Sequence, residues 1–404
     1  MEDIQAYHVD WFVTREIHSD VTIRIRNGQL LSIEQGCSKD AVELCRVALV
    51  SGLVNAHTHL EFSDLTKPIP TMGRFTDWIR AVVAHRRANP GQIGRAIEFG
   101  LRESIAAGTT ALGEIATVQW SSTDYSKVAM RGVVFQEILG LTLERVALQK
   151  EVARSHAIGT TPPFVNGISP HAPYSTHLEL VHEAVALARQ TGCPLAMHVA
   201  ETSAELEFLE SRTGEFREML TDFGIWNDDP TRFGCTAMDY LQILAESPRS
   251  LIIHGNYLTE VELQFLASNP NMTLVYCPRT HAAFGHSEHP WRHARELGIR
   301  IALGTDSRAS NPDLSLFAEL QFLAKTYPDI SHLELLELGS TNGRQALGIE
   351  DSTVADFTLI RANELPLSNP TSELFSPFNT VAGTMIRGDW VWQDAQLQEV
   401  FGDK

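Results

Sequence analysis

Between residues 50 and 350, short apolar or β-branched runs alternate with longer stretches of helical spacing, and this alternation limits the fold more than any other feature. The strand-like runs are "GLVNAHTHL", "GTTALGEI", "GVVFQEILG", "FVNGISPHAP", "PLAMHVAE", "SLIIHGNYL", "MTLVYCPRT" and "IRIALGTDS". Between them fall "DWIRAVVAHRR", "LELVHEAVALARQTG", "TEVELQFLASN" and "HARELG", where helical periodicity takes over and glycines mark the stops. Eight strands alternating with helices over about 300 residues are what a (β/α)8, TIM-like barrel requires. An open doubly wound sheet is the structural rival, but no GxGxxG string follows a strand.

The two ends read differently. Residues 1–50 and 353–404 hold short alternating runs broken by "NG", "GD" and "QD", which predict hairpins. They are expected to pair into one small β-sandwich flanking a catalytic barrel over 51–352. Residues 212–249, with "GIWNDDPTRFGC", read as a long insertion after the fifth barrel strand and a place for a substrate-covering loop.

Composition narrows the partners. A net charge of −18 argues against a nucleic-acid surface, which needs clustered Lys and Arg, and leaves a small molecule as the expected partner. No run approaches the roughly 18 apolar residues of a membrane span, and the acidic start does not resemble a signal peptide. Five scattered cysteines without a CxxC pair predict reduced thiols and a cytoplasmic protein.

Polar residues collect at the strand ends: His57 and His59 on the first, His171 on the fourth, His198 on the fifth, His254 on the sixth and Asp306 on the eighth. In a barrel these ends converge on the face that carries chemistry. Taken singly, each has a duller explanation. A buried histidine is more often a hydrogen-bonded core residue, and Asp306 in "GTDS" suits a helix cap. Their conjunction predicts a metal site, since three or four such ligands suit a Zn²⁺-type ion with a position left for water.

The strings "SGLVNAHTHLEFS", "SPHAPYST", "MHVAETSAE", "IIHGNYL", "VYCPRTHAAFGH" and "LGTDSRASNPDLSLFAEL" resemble the amidohydrolase superfamily over nearly the whole chain. The branch they resemble is the mononuclear aminohydrolases, which include S-adenosylhomocysteine, guanine and aminofutalosine deaminases and triazine hydrolases. That resemblance implies His57, His59, His198 and Asp306 as ligands of one divalent metal, Zn²⁺ first and Fe²⁺ as the alternative. It makes Glu201 the proton shuttle, His254 the group that orients water, Asp306 a second proton acceptor, and His171 a substrate contact. Binuclear members carry a bridging Lys or Glu on the third or fourth strand. Here only Glu137 is available, and one metal is expected.

Around that centre, Arg279, His281 and Ser310 follow strands seven and eight and are expected to reach a ligand, with Arg279 or Arg308 meeting a carboxylate. Trp78, after Phe62 and Phe75, either stacks on a planar base or packs in the core. Cys277 reads as a buried filler, and Glu61 has no assigned role. The combination "HTHLE", "CPRTH", "GTDSRASN" is most similar to the aminofutalosine deaminases of the futalosine route to menaquinone. The expected function is hydrolytic deamination of an aminopurine nucleoside such as 6-amino-6-deoxyfutalosine. Other deaminations, triazine hydrolysis and a non-catalytic ligand-binding barrel are the alternatives, and a homo-oligomer is expected from the family.

Overall fold

In the computed structural model, residues 4–71, 73–89, 91–117, 122–125, 128–158, 163–349, 353–363 and 367–401 are described. The chain opens with β1 (Gln5–Val13), β2 (Ile17–Arg26), β3 (Gln29–Gln35) and β4 (Val42–Ser51). The barrel strands follow: β5 (Leu53–Thr58), β6 (Thr109–Ala116), β7 (Arg131–Ile138), β8 (Phe164–Pro170), β9 (Leu195–Val199), β10 (Ser250–His254), β11 (Met272–Tyr276) and β12 (Arg300–Leu303). The chain ends through β13 (Phe357–Ala362), β14 (Asn379–Ile386) and β15 (Asp389–Gln393).

Each of the eight expected barrel strands is present, and β5 to β12 lie in chain order with parallel pairing. Closure comes from β12 returning to β5. Thr58 bridges Asp306, and the Thr305 and Asp306 amides both donate to the His57 carbonyl at 3.1 Å. The interior is filled by Val54, Ala56, Ile115, Phe135, Leu251 and Val275, so it is a packed core and not a channel. Strands such as β9 and β10 are buried at every position, which explains their continuous apolar runs.

The terminal strands form one seven-stranded sheet in the order β15-β14-β13-β4-β1-β2-β3. It curls over a shared core, bringing Tyr7 of β1 to 5.7 Å from Trp390 of β15 and Phe12 to 5.3 Å from Phe357. Asn27-Gly28 and Arg387-Gly388 make tight turns with both residues at positive φ, where glycine costs least. "QD" is a correction. Asp394 accepts the Leu397 amide at 2.7 Å and starts the helix Ala395–Phe401, not a hairpin.

The sheet is pinned to the barrel at Asp356. Its buried carboxylate takes Arg131 and Arg344, while its carbonyl accepts the Gly52 amide at 2.9 Å, at the junction of β4 and β5. All five cysteines are free thiols. Among the described residues no helix is long and apolar enough to cross a membrane.

Candidate metal centre and active site

The first barrel strand delivers two imidazoles because β-structure repeats every two residues. His57 lies in β5, and His59 stands one residue beyond it in extended conformation, with ring centroids 4.9 Å apart. The ligand atoms of His57, His59 and His198 all lie within 4.8 Å of one another. Asp306 Oδ1 adds a fourth donor, 3.6 Å from His57 Nε2 and 3.8 Å from His59 Nε2. Nitrogen and oxygen ligands about 2.1 Å from one ion span separations on the order of these.

The rings are oriented from behind. His198 Nδ1 pairs with the His171 carbonyl at 2.8 Å, so its Nε2 is the free ligand atom. Ser310 Oγ donates to Asp306 Oδ2 at 2.6 Å, leaving Oδ1 toward the histidines. The amide after His59 donates to both oxygens of the buried Glu114, at 3.1 and 3.0 Å. Yet neither ring nitrogen of His57, nor His59 Nδ1, has a hydrogen-bond partner among the described residues. An unpaired buried polar atom costs about 1–3 kcal/mol, and a cation held by these donors would remove that cost. The donor set therefore fits one divalent ion.

Beside it, His254 Nε2 is 3.4 Å from Glu201 Oε1. His254, Asp306 and Ala200 adopt left-handed φ of 66°, 57° and 54° without being glycine, each where a barrel strand turns out into its loop. Burial, then the charges of Asp306 and Glu205, push the Glu201 carboxyl well above the usual range. Burial, then neighbouring imidazoles, push His59, His198 and His254 well below theirs, and His171 falls to about 3 by burial and then the Arg86 charge. Neutral imidazoles are the form that binds metals.

These groups open onto a cavity of about 210 Å³ walled by Phe62, Phe75 and Trp78 on one side and by Met219, Leu220 and Phe223 on the other. The last group corrects the expected covering loop. Gly214–Asp222 is a helix, because Phe216, Met219 and Leu220 at helical spacing find a core to enter. A second cavity of about 350 Å³ adjoins the first, sharing Phe62, Arg86, Glu137 and Leu139. Arg86 holds Glu61 with two bonds, of 3.1 and 2.6 Å. Arg145 lines the second cavity with only its Nε engaged, at 3.4 Å from the Leu139 carbonyl, and its terminal nitrogens have no partner among the described residues.

Of the expected substrate contacts, His171 and Trp78 line the metal cavity. Ser310 Oγ is taken up by Asp306, Thr280 and the Ser307 carbonyl, and His281 packs near Tyr276 and His286, both outside that lining. Arg279 is a correction. Its guanidinium is spent on Glu319 at 2.9 Å, on Asp313 at 2.7 and 3.2 Å, and on Asn311, because the buried Glu319 demands a cation. Arg308 is likewise held by Glu103 and the Leu65 carbonyl. The guanidiniums at the cavities are those of Arg86, Arg87 and Arg145. Arg86 was signalled by spacing, since Trp78, Val82 and Arg86 recur every four residues on one helix face. Arg145 opens a helix whose sequence carries no such pattern. Glu137 is 3.9 Å from His171 Nε2, with its carboxyl raised by burial against the pull of Arg86. Burial also drives the Cys277 thiol well above its ordinary range, so it stays protonated.

A model of the amidohydrolase family matches residues 48–391, from β4 through the whole barrel into β15. The chain belongs to the amidohydrolase family. It is a hydrolase of carbon–nitrogen bonds, in the aminohydrolase branch its motifs resemble. One relative is the 5-methylthioadenosine/S-adenosylhomocysteine deaminase of Pyrococcus furiosus, 28% identical over 88% of this chain and 86% of that protein. Another is the aminodeoxyfutalosine deaminase of Nitratiruptor sp., also 28% identical, over 76% of each. Among solved structures, Helicobacter pylori aminofutalosine deaminase in complex with methylthio-coformycin superposes with a TM-score of 0.82 at 21% identity, covering 96% of this chain and all of that one. Atrazine chlorohydrolase from Arthrobacter aurescens, complexed with zinc, gives 0.79 at 16% identity over 98% of both chains. These last two likenesses bear on the fold alone.

Proposed function

We propose that this amidohydrolase uses one divalent metal, Zn²⁺ by the chemistry of its donors, to deaminate an adenine-type nucleoside bearing a polar or anionic 5′ arm. 6-Amino-6-deoxyfutalosine is the first candidate, which would give the chain a place in menaquinone biosynthesis. The observation that carries the reading is the meeting of three imidazoles and a carboxylate at the floor of an aromatic cavity that continues into a polar one.

His57, His59, His198 and Asp306 hold the ion in this account. When bound, such an ion makes water a nucleophile near neutral pH. Glu201 takes a proton from the attacking water and delivers it to the ring nitrogen next to the attacked carbon, a task suited to a carboxyl of raised pKa. His254 orients the water. Asp306 accepts the second proton and passes it to the departing ammonia. Trp78, Phe62 and His171 enclose the planar base, while the 5′ arm enters the second cavity, where Arg145 offers an unspent guanidinium.

The test is ammonia release from 6-amino-6-deoxyfutalosine, S-adenosylhomocysteine, 5′-deoxyadenosine, adenosine, guanine and cytosine. The proposal expects turnover of adenine nucleosides with little or none of guanine and cytosine. Silence from every adenine nucleoside would refute it, and chloride release from a chlorotriazine would point to the other hydrolase chemistry.

A further inference from the structure

The turn that presents Glu201 is held by a second carboxylate. After β9 ends at Val199, Ala200 takes a left-handed φ of 54°, Glu201 follows, and Thr202 caps the helix Ser203–Ser211. Glu205 occupies the third position of that helix. An acid there ordinarily accepts the amide of the cap residue, as Glu262 does for Thr259 at 2.7 Å and Glu334 for Ser331 at 3.3 Å in this chain. Glu205 reaches further upstream. Its Oε1 accepts the Ala200 amide at 2.8 Å and its Oε2 the Glu201 amide at 3.0 Å.

The same two residues are held from the far side. Asn256 Nδ2 donates to the Glu201 carbonyl at 2.9 Å, and the Tyr257 amide to the Ala200 carbonyl at 3.1 Å. Glu205 is fully buried and lies outside the lining of the metal cavity, so it does not face the reacting groups. The bonds hold the backbone on both sides of the turn, and from it the Glu201 carboxyl stands 3.4 Å from His254 Nε2.

We propose that Glu205 is a positioning residue, whose carboxylate, acting through the Ala200 and Glu201 amides, sets the distance of the Glu201 carboxyl from the reacting atoms. The inference rests on Glu201 being the proton shuttle. Displacements of about 1 Å cost on the order of a hundredfold in rate. Their effect falls on proton transfer and not on substrate or metal binding.

The experiment is Glu205→Gln, which keeps size but turns one acceptor into a donor facing a backbone amide. It is assayed with the fastest adenine nucleoside of the panel. The expected result is a kcat lower by ten- to a hundredfold, KM and metal content within twofold of wild type, and a larger solvent deuterium isotope effect on kcat. Wild-type kcat and isotope effect would overturn the proposal, as would a rate loss matched by an equal loss of metal. Should Glu205→Gln not fold, Asn256→Ala perturbs the Glu201 carbonyl and carries the same expectations. Glu201→Gln separates the two readings. If that variant keeps full activity the shuttle assignment itself fails, whereas an inactive Glu201→Gln beside a fully active Glu205→Gln rejects only the positioning role.

Discussion

Arg145 and Arg279 show how little a side chain's identity says about its availability. Both are arginines near the mouth of the barrel, yet Arg279 has Glu319, Asp313 and Asn311 around it, while Arg145 keeps its terminal nitrogens free among the described residues. A charge-assisted bond is worth about 1.5–3 kcal/mol, and about 1.4 kcal/mol is tenfold in affinity. Arg145→Ala is therefore expected to raise KM for a substrate with an anionic arm by about tenfold to a hundredfold and to leave that for adenosine within about threefold, as steady-state kinetics on the two will show. His289 carries a pH prediction. Its Nε2 pairs with the His254 carbonyl and its Nδ1 accepts the Trp291 amide, and burial lowers its pKa to about 3. The unfolded chain, titrating near 6.5, then binds the extra proton, so this stability is complete above 6.5 and is lost as pH falls toward about 3, by up to about 1.4 kcal/mol per pH unit. His289→Asn should be less stable than wild type at pH 7, with the gap closing by pH 5 in urea unfolding of the metal-free proteins.

At the scale of elements, the metal cavity is roofed by the helices Phe75–Ala88 and Gly214–Asp222. Ion pairs join them, from Arg74 to Glu215 and Glu218 and from Arg80 to Asp222, but most of these side chains are well exposed. Exposed pairs contribute about 0–1 kcal/mol, whereas a fully buried Phe216 truncated to alanine costs about 3–5 kcal/mol. Differential unfolding should show Arg80→Ala near wild type and Phe216→Ala strongly destabilised, with KM raised because Phe216 backs both Phe75 and Tyr174. The barrel strands were legible in the sequence because they are short buried runs with polar residues at or just past their ends: "LAMHV" halts at the strained Ala200, one residue before Glu201, and "SLIIH" ends on His254 itself. The roof helix was not, because "GEFREMLTD" has only nine residues and its neighbours, "GIWNDDP", look like loop.

At the scale of the molecule, the seam that closes the barrel is also the site. His57 gives its carbonyl to Thr305 and Asp306, and its ring faces the Asp306 carboxylate. Paired histidines and "GTDS" could be recognised in the sequence, but their adjacency follows from β12 returning to β5 across some 250 residues, which no local pattern reports. The parallel pairing of β1 with β4, and the antiparallel pairing of β4 with β13, were hidden for the same reason. Asp356 ties the two parts together. Removing its carboxylate strands two half-buried guanidiniums, so Asp356→Ala is expected to cost about 3–5 kcal/mol in unfolding free energy while kcat of the folded fraction stays near wild type.

The central claim is that one cation at His57, His59, His198 and Asp306 makes this chain a deaminase. Its most direct test is to strip the protein of metal, return Zn²⁺ stepwise, and follow ammonia release from the best adenine nucleoside. The account predicts a rate that starts near zero, climbs in proportion to added ion and levels off at one equivalent per chain. Full activity before any ion is returned, or a plateau only at two equivalents, would contradict it.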